Sequence, residues 1–394
     1  MHQRVAVVGV AQTPFRPQRT DVNVAELAHE AIAAVLAETG LDLMADIDGR
    51  VSCSHDIWDG QTISNIGITD VIGAHLRGEE KAAMDGLNAL YYAVVGILSG
   101  EFTCTLVLAH TKMSQTRRNI VNNVAFDPIY SRMLGFDYTS AAALQARRYM
   151  HRYGVSEAQV AAVAVKNLAS AMDNPCAHNG RRVSIDDVLA SAEVASPIRM
   201  LEIAPDSDGA VAMILATEEK ARAITDRPVW IRGMGTCYDA HYLGDRDLSE
   251  TMALSRAATQ AYRMADIRDP LREIDLVELG DEFAYQELLW LEGLGLCGPG
   301  EAPRLTESGA TARGGAIPVN PSGGLLGGVP ANVMGLNRAA EAVLQLVNRA
   351  GTRQVHGAST AVAQGHSGFC GQHQCVVVFG RDPHGQEAKA CSDR

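Results

Sequence analysis

The sequence predicts an α/β fold made of two similar halves. Two observations carry this expectation. Short apolar, β-branched runs recur between longer segments whose apolar residues follow helical spacing. The series also occurs twice, each time beginning and closing on an apolar strand. Strands alternating with helices of this length imply βαβ units and sheets covered by helices. In order, "RVAVVGVA" (4–11) reads as a buried strand and "NVAELAHEAIAAVLAETG" (23–40) as a helix that stops at glycine. "GLNALYYAVVGILSG" (86–100) is a helix leading into the strand "CTLVLAH" (104–110), and "GAVAMILAT" (209–217) is the next strand. The second series has strands at 228–236 and 274–280, helices at 250–265, 283–295 and 334–351, and the closing strands "STAVAQG" and "QCVVVFG". Charge-rich helical patterns at 113–205 interrupt the first series and are expected to form an inserted loop or cap region. The expected organisation is an N-terminal half at 1–112 and 206–225, this insertion, a C-terminal half at 226–380, and a flexible polar tail at 381–394.

Composition narrows the function. A chain of 394 residues, 47% hydrophobic and 20% charged, has an ordinary soluble balance. A net charge of −12 argues against a nucleic-acid-binding surface. Neither a secretory leader nor a run of eighteen apolar residues is visible, so the expected location is cytoplasmic, with no membrane span. The eight cysteines are scattered without CxxC spacing, which disfavours a cysteine zinc site and fits reduced thiols.

Five stretches then stand in a telling order: "YMHRYG" (149–154), "VAVKNLASAMDNP" (163–175), "PDSDGAVAMILA" (205–216), "LGLCGPGE" (294–301) and "IPVNPSGGLLGG" (317–328). Together they resemble the thiolase superfamily, in the sterol-carrier-protein-x-like and archaeal-type branch that includes steroid side-chain aldolases. The resemblance covers residues 3 to 380. It implies two βαβαβαββ halves in a five-layer α-β-α-β-α arrangement with an inserted loop domain. It also implies a homodimer formed through the N-terminal half and a coenzyme A thioester as substrate, with no permanent cofactor or metal. A small zinc-ribbon/OB-fold partner protein is a further implication.

The resemblance also shows what is missing. Thiolases hold the acyl group on a cysteine at a helix N-terminus, where the helix dipole favours the thiolate. The matching stretch, "KAAMDGLNAL" (81–90), places Ala83 there, beside Met84 and Asp85. The family's Gly-His-Pro loop becomes "GVPANVMG" (328–335), with Val329 at the histidine. Where the family has Asn or His after a strand, "ELGDEFAYQ" (278–286) supplies Gly280. Ordinary thiolysis through an acyl-cysteine at the usual position is therefore not expected.

Several residues remain as candidates. The glycine-rich segment 320–335 is a loop whose backbone comes close to something. Gly324, Gly328, Val329 and Asn332 would sit against a thioester, or the loop is a tight crossing on a helix. The loop "QGHSGFCGQHQC" (364–375) offers His366 and Cys370 as an acid–base or nucleophile pair, or an inert buried pair. Adding His373 would give a metal site only with a fourth ligand. Asp281 is a base or a helix cap, Tyr285 a phenol donor or packing, and Asp85 a cap or a base. Three functions fit. One is retro-aldol cleavage of a β-hydroxyacyl-CoA. Another is an unconventional acyltransferase or thiolase using Cys370. The third is a non-catalytic acyl-CoA-binding or scaffolding subunit.

Overall fold

A computed structural model describes residues 4–383; of the tail assigned at 381–394, residues 384–394 lie outside the described residues. Nine strands form its main sheet: β1 (Val5–Gln12), β2 (Gly49–Cys53), β3 (Glu80–Ala82), β4 (Cys104–Lys112), β5 (Asp208–Thr217), β6 (Val229–Tyr238), β7 (Leu276–Glu278), β8 (Thr360–Ser367) and β9 (His373–Gly380). Their order across the sheet is β3-β2-β4-β5-β1-β6-β9-β8-β7. The first five strands therefore run 3-2-4-5-1, with the fifth antiparallel to both neighbours. The last four repeat this order from the other side, and an isolated parallel bridge between Val277 and Val319 stands where a third strand would be. The duplication read from the sequence is thus a duplication of topology. The two halves are also joined edge to edge, because β1 pairs with β6 through Ala6–Trp230 and Val7–Val229.

Strand alternation sets the layers. In β4, Val107 and Ala109 face a central apolar cluster, while Leu106 and Leu108 face an outer one. The central layer is α2 (Gly86–Leu98) packed with α8 (Met334–Leu346), between the two halves of the sheet. Outside the first half lies α1 (Val24–Thr39), opened by an Asn23–Glu26 capping box and closed at Gly40 with φ 71°. Outside the second half lie α6 (Met252–Met264) and α7 (Ala284–Gly293), whose apolar faces cover Val376 and Val378 of β9. This is the five-layer α-β-α-β-α arrangement. Between β4 and β5 the chain forms α3 (Arg118–Val124), α4 (Tyr138–Tyr153) and α5 (Glu157–Ala171). Among the described residues, no helix is long and apolar enough to cross a membrane.

Candidate active site

The N-termini of α2 and α8 meet at the middle of the molecule, and Asp85 joins them. Its carboxylate caps α2 by accepting from the Leu87 N–H at 2.9 Å, and it accepts from the Gly335 N–H of α8 at 2.9 Å. Asp85 is 1% exposed, and burial pushes its carboxyl up to about 7 despite these donors. It is a junction between helices and does not line the cleft beside it.

That cleft has a volume of about 260 Å³ and collects residues from both halves and from the insertion. Ala83 and Met84 reach it from the loop before α2, Asn332 and Met334 from the start of α8, and His366 and Ser367 from the end of β8. Glu282 reaches it from the turn between β7 and α7, Val121 from α3, and Tyr138 from the first position of α4. His55, Ile57 and Trp58 complete it from the segment after β2. Of the residues expected from the sequence, Ala83, Met84, Asn332 and His366 come together here.

The others lie elsewhere. Gly324, Gly328 and Val329 are interior, because the glycine-rich loop packs on α5 and the segment after it. A side chain at Gly324, where φ is +61°, would strike the Asp281 carboxylate, and one at Gly328, where φ is +94°, would strike His178. Val329 is 5% exposed and belongs to the central apolar cluster. The close approach is therefore a loop crossing, and only its end, at Ala331, Asn332 and Met334, touches the cleft. Asp281 is neither a cap nor in the cleft. It accepts from the Leu325 N–H at 2.6 Å and from the Asn167 amide at 2.7 Å, pinning that loop to α5. Burial, and then the neighbouring Glu287 carboxylate, push it up to about 7. The Tyr285 hydroxyl donates to Gln145 at 2.8 Å beneath α4. The Cys370 thiol donates to the Ala141 carbonyl at 3.2 Å beside Phe126 and Phe369, and burial pushes it up to about 12. His373 is committed to Thr236 at 2.7 Å. The His366, Cys370 and His373 side chains thus do not converge, and no group of three metal-type ligands occurs among the described residues.

Buried carboxylates such as Asp85 and Asp281 set the pH dependence of stability. Their folded pKa, about 7, lies above the usual 3.8, so the native protein holds protons that the unfolded chain has released between about pH 4 and 7. The carboxylates' contribution to stability therefore falls as pH rises through that window. It outweighs the opposite contribution, below about pH 6.5, of His110, His366 and His373, whose pKa burial pushes down to about 4, because Asp59, Glu202 and Glu278 are raised as well. Asp247, held near 2 by the Ser249 hydroxyl and by Arg148, acts only below that window. Calorimetry should give a lower unfolding temperature at about pH 7.5 than at about pH 5. Asp281→Asn should flatten the profile by up to about 1.4 kcal/mol per pH unit. A profile that rises with pH, or one that the amide leaves unchanged, refutes this account.

The cleft's polar groups are unusual. Among the described residues, His55 Nδ1, Asn332 Nδ2, His366 Nδ1 and Ser367 Oγ are buried with no hydrogen-bond partner. All four atoms belong to residues that line this one cavity, which marks it as a place for a polar ligand. Burial holds the His366 ring neutral, with its pKa down at about 4. Gly280 makes room for that ring, since a side chain there would come within 2.9 Å of His366 Nδ1 and 2.6 Å of the Met334 sulfur. Glu282 is bound by the Arg118 guanidinium at 2.9 Å, which also donates to the Ala204 carbonyl at 2.7 Å. Tyr138 is half-buried at the wall, and desolvation, then the Glu282 charge, keep its phenol protonated. No cysteine is among the residues lining the cleft. Glu282 was visible in the sequence as the neighbour of Asp281. His55, Trp58 and Tyr138 had no local signal beyond residue type.

Two family models match the chain: the thiolase N-terminal domain over residues 5–183 and the thiolase C-terminal domain-like model over residues 235–381. An acetyl-CoA acetyltransferase of Methanothermobacter thermautotrophicus is 34% identical, over 96% of this chain and 99% of the relative. The chain belongs to the thiolase superfamily. Another thiolase-superfamily relative, a 17-hydroxy-3-oxo-4-pregnene-20-carboxyl-CoA lyase of Mycobacterium tuberculosis, is 29% identical, covering 87% of this chain and 91% of its own. The solved structure of an Ltp2–ChsH2(DUF35) aldolase shares the thiolase fold, with a TM-score of 0.83 at 23% identity over 96% of this chain and 97% of that one. Ala83, which the sequence resemblance aligns with the family's nucleophile, lines the wall of this cleft.

Proposed function

We propose that this chain cleaves the Cα–Cβ bond of a β-hydroxyacyl-CoA by a retro-aldol reaction that uses no acyl-cysteine. The observation that carries the reading is a cleft with a carboxylate and unpartnered polar atoms but no thiol among its lining residues. Glu282 accepts the proton of the β-hydroxyl. The oxygen's electron pair forms the new C=O as the Cα–Cβ bond breaks, and that bond's electrons pass to the thioester as an enolate. The Asn332 amide, the neutral His366 ring and the Ser367 hydroxyl donate to the enolate oxygen, where preorganised donors act most strongly. Cα then takes a proton, and an acyl-CoA and an aldehyde or ketone leave. The lyase named among the relatives supports a carbon–carbon cleavage. Coenzyme A thioester enters as substrate, with no bound cofactor called upon.

The test is incubation with 3-hydroxyacyl-CoA thioesters, measuring acyl-CoA and the carbonyl product together. The expected result is equal release of both, at a rate that iodoacetamide leaves unchanged. Alkylation of the half-buried Cys176, Cys237 and Cys297 should leave the rate unchanged, since none lines the cleft. Loss of activity on alkylation, with protection by substrate, would instead support the acyl-enzyme chemistry of an acyltransferase.

A further inference from the structure

We infer that the cleft selects thioesters with short acyl groups and rejects long-chain and polycyclic ones. The inference rests on the reading above, because it concerns the substrate of the same site. On the scale of a dry cavity of about 150 Å³ that holds one benzene, the cleft's 260 Å³ shelters roughly ten non-hydrogen atoms, and any beyond these lie outside its walls. The thioester carbon, oxygen and sulfur take about three of these places, which leaves room for about seven or eight carbons. A four-ring steroid nucleus, with its roughly seventeen ring carbons, exceeds that allowance twofold.

The walls cannot easily retreat. Trp58 is 6% exposed and packs with Met113 and Val121. Tyr138 is held edge-on by Phe126 at 6.2 Å and Phe369 at 6.4 Å, and those two rings stack on each other at 4.2 Å. Met334, 5% exposed, closes the side next to His366. Swinging any of these outward would displace packed neighbours, and close-packed interiors resist this. Trp58, Tyr138 and Met334 are thus the specificity-determining residues, and the carbonyl product released is a small aldehyde or ketone.

The experiment measures calorimetric affinity and cleavage rate for 3-hydroxyacyl-CoA thioesters of four, eight, twelve and sixteen carbons, and for a steroid carboxyl-CoA. In the wild type, affinity and kcat/KM should fall at least roughly tenfold between eight and twelve carbons, the discrimination a filled apolar pocket gives for misfitting groups. Trp58→Ala should restore most of the loss for the twelve-carbon thioester. Met334→Ala serves the same purpose if the tryptophan variant does not fold. Undiminished affinity for the sixteen-carbon or steroid thioester overturns the inference, as does a length profile that neither variant shifts. Length-dependent binding without cleavage of any thioester upholds size selection and refutes the retro-aldol reading. Binding of none of the thioesters overturns both.

Discussion

Replacing Glu282 with glutamine is expected to lower kcat for retro-aldol cleavage by about 10²–10⁴-fold, with KM changed by less than about threefold. The substitution keeps the side chain's length and its ability to accept from Arg118, which binds Oε1 at 2.9 Å. It removes only the ability to take a proton. Arg118 is itself fixed by the Ala204 carbonyl at 2.7 Å and by Asp206 at 3.2 Å, so the glutamine should stay in place. Structure and thioester affinity should therefore survive while the chemistry slows. Glu282→Asp, one methylene shorter, should fall between the two, because a carboxylate set back from the substrate still accepts a proton through worse geometry. Steady-state kinetics with a short 3-hydroxyacyl-CoA decides the matter. Full activity in the glutamine variant would move the base to another group and undo the role given to Glu282.

Much of the fold could be read from the sequence because its strands are buried on both faces. A run such as "GAVAMILAT" shows no alternation to confuse, and β5 extends from Asp208 to Thr217, one residue beyond the expected start. Strands β2 and β3 were not expected, for a physical reason. β2 reads Gly-Arg-Val-Ser-Cys, and its Arg50 is 2% exposed because its guanidinium donates to the carbonyls of Leu43, Ile47 and Ile72. A strand stabilised this way carries no apolar signature, and β3, three residues long, is too short to carry any. The site was less legible. Asp281 and Glu282 are adjacent and chemically equivalent in a sequence, yet one points into the core at the glycine-rich loop and the other into the cleft. The turn after β7 decides between them, and composition does not record it. The same holds for Cys370. It has φ +55° in its loop, which aims its thiol at Ala141 while His366, four residues earlier, lines the cavity. Tyr138 and Trp58 belong to segments that reach the site only through long-range packing.

Arg338→Met is expected to cost about 3–5 kcal/mol of stability, the penalty for stranding one member of a buried ion pair. Arg338 on α8 and Glu278 on β7 are both fully buried, and the guanidinium meets the carboxylate at 2.5 Å. The same Nη1 donates to the Ser322 hydroxyl at 2.8 Å, and that hydroxyl donates to Glu278 at 2.7 Å. Helix α8, strand β7 and the glycine-rich loop are therefore tied at one point that water does not reach. Methionine fills the volume of the arginine stem but leaves Glu278 without its counter-charge. Burial already pushes that carboxyl above its usual range, and losing the arginine pushes it further. Protonation relieves part of the penalty, so the loss should be larger at about pH 8 than at about pH 5. Urea denaturation of the single variant at both pH values measures this, and the double variant Glu278→Leu/Arg338→Met separates charge from packing. The double variant should recover most of the stability, since apolar pairs replace buried ion pairs at little cost. If it stays as unstable as the single variant, the arginine's packing is what matters, and the ion-pair account fails. The consequence reaches the cleft, because Asn332 and Met334 sit where the tied loop enters α8. A variant that folds but has lost this tie should bind thioesters more weakly, with Glu282 and His366 still in place.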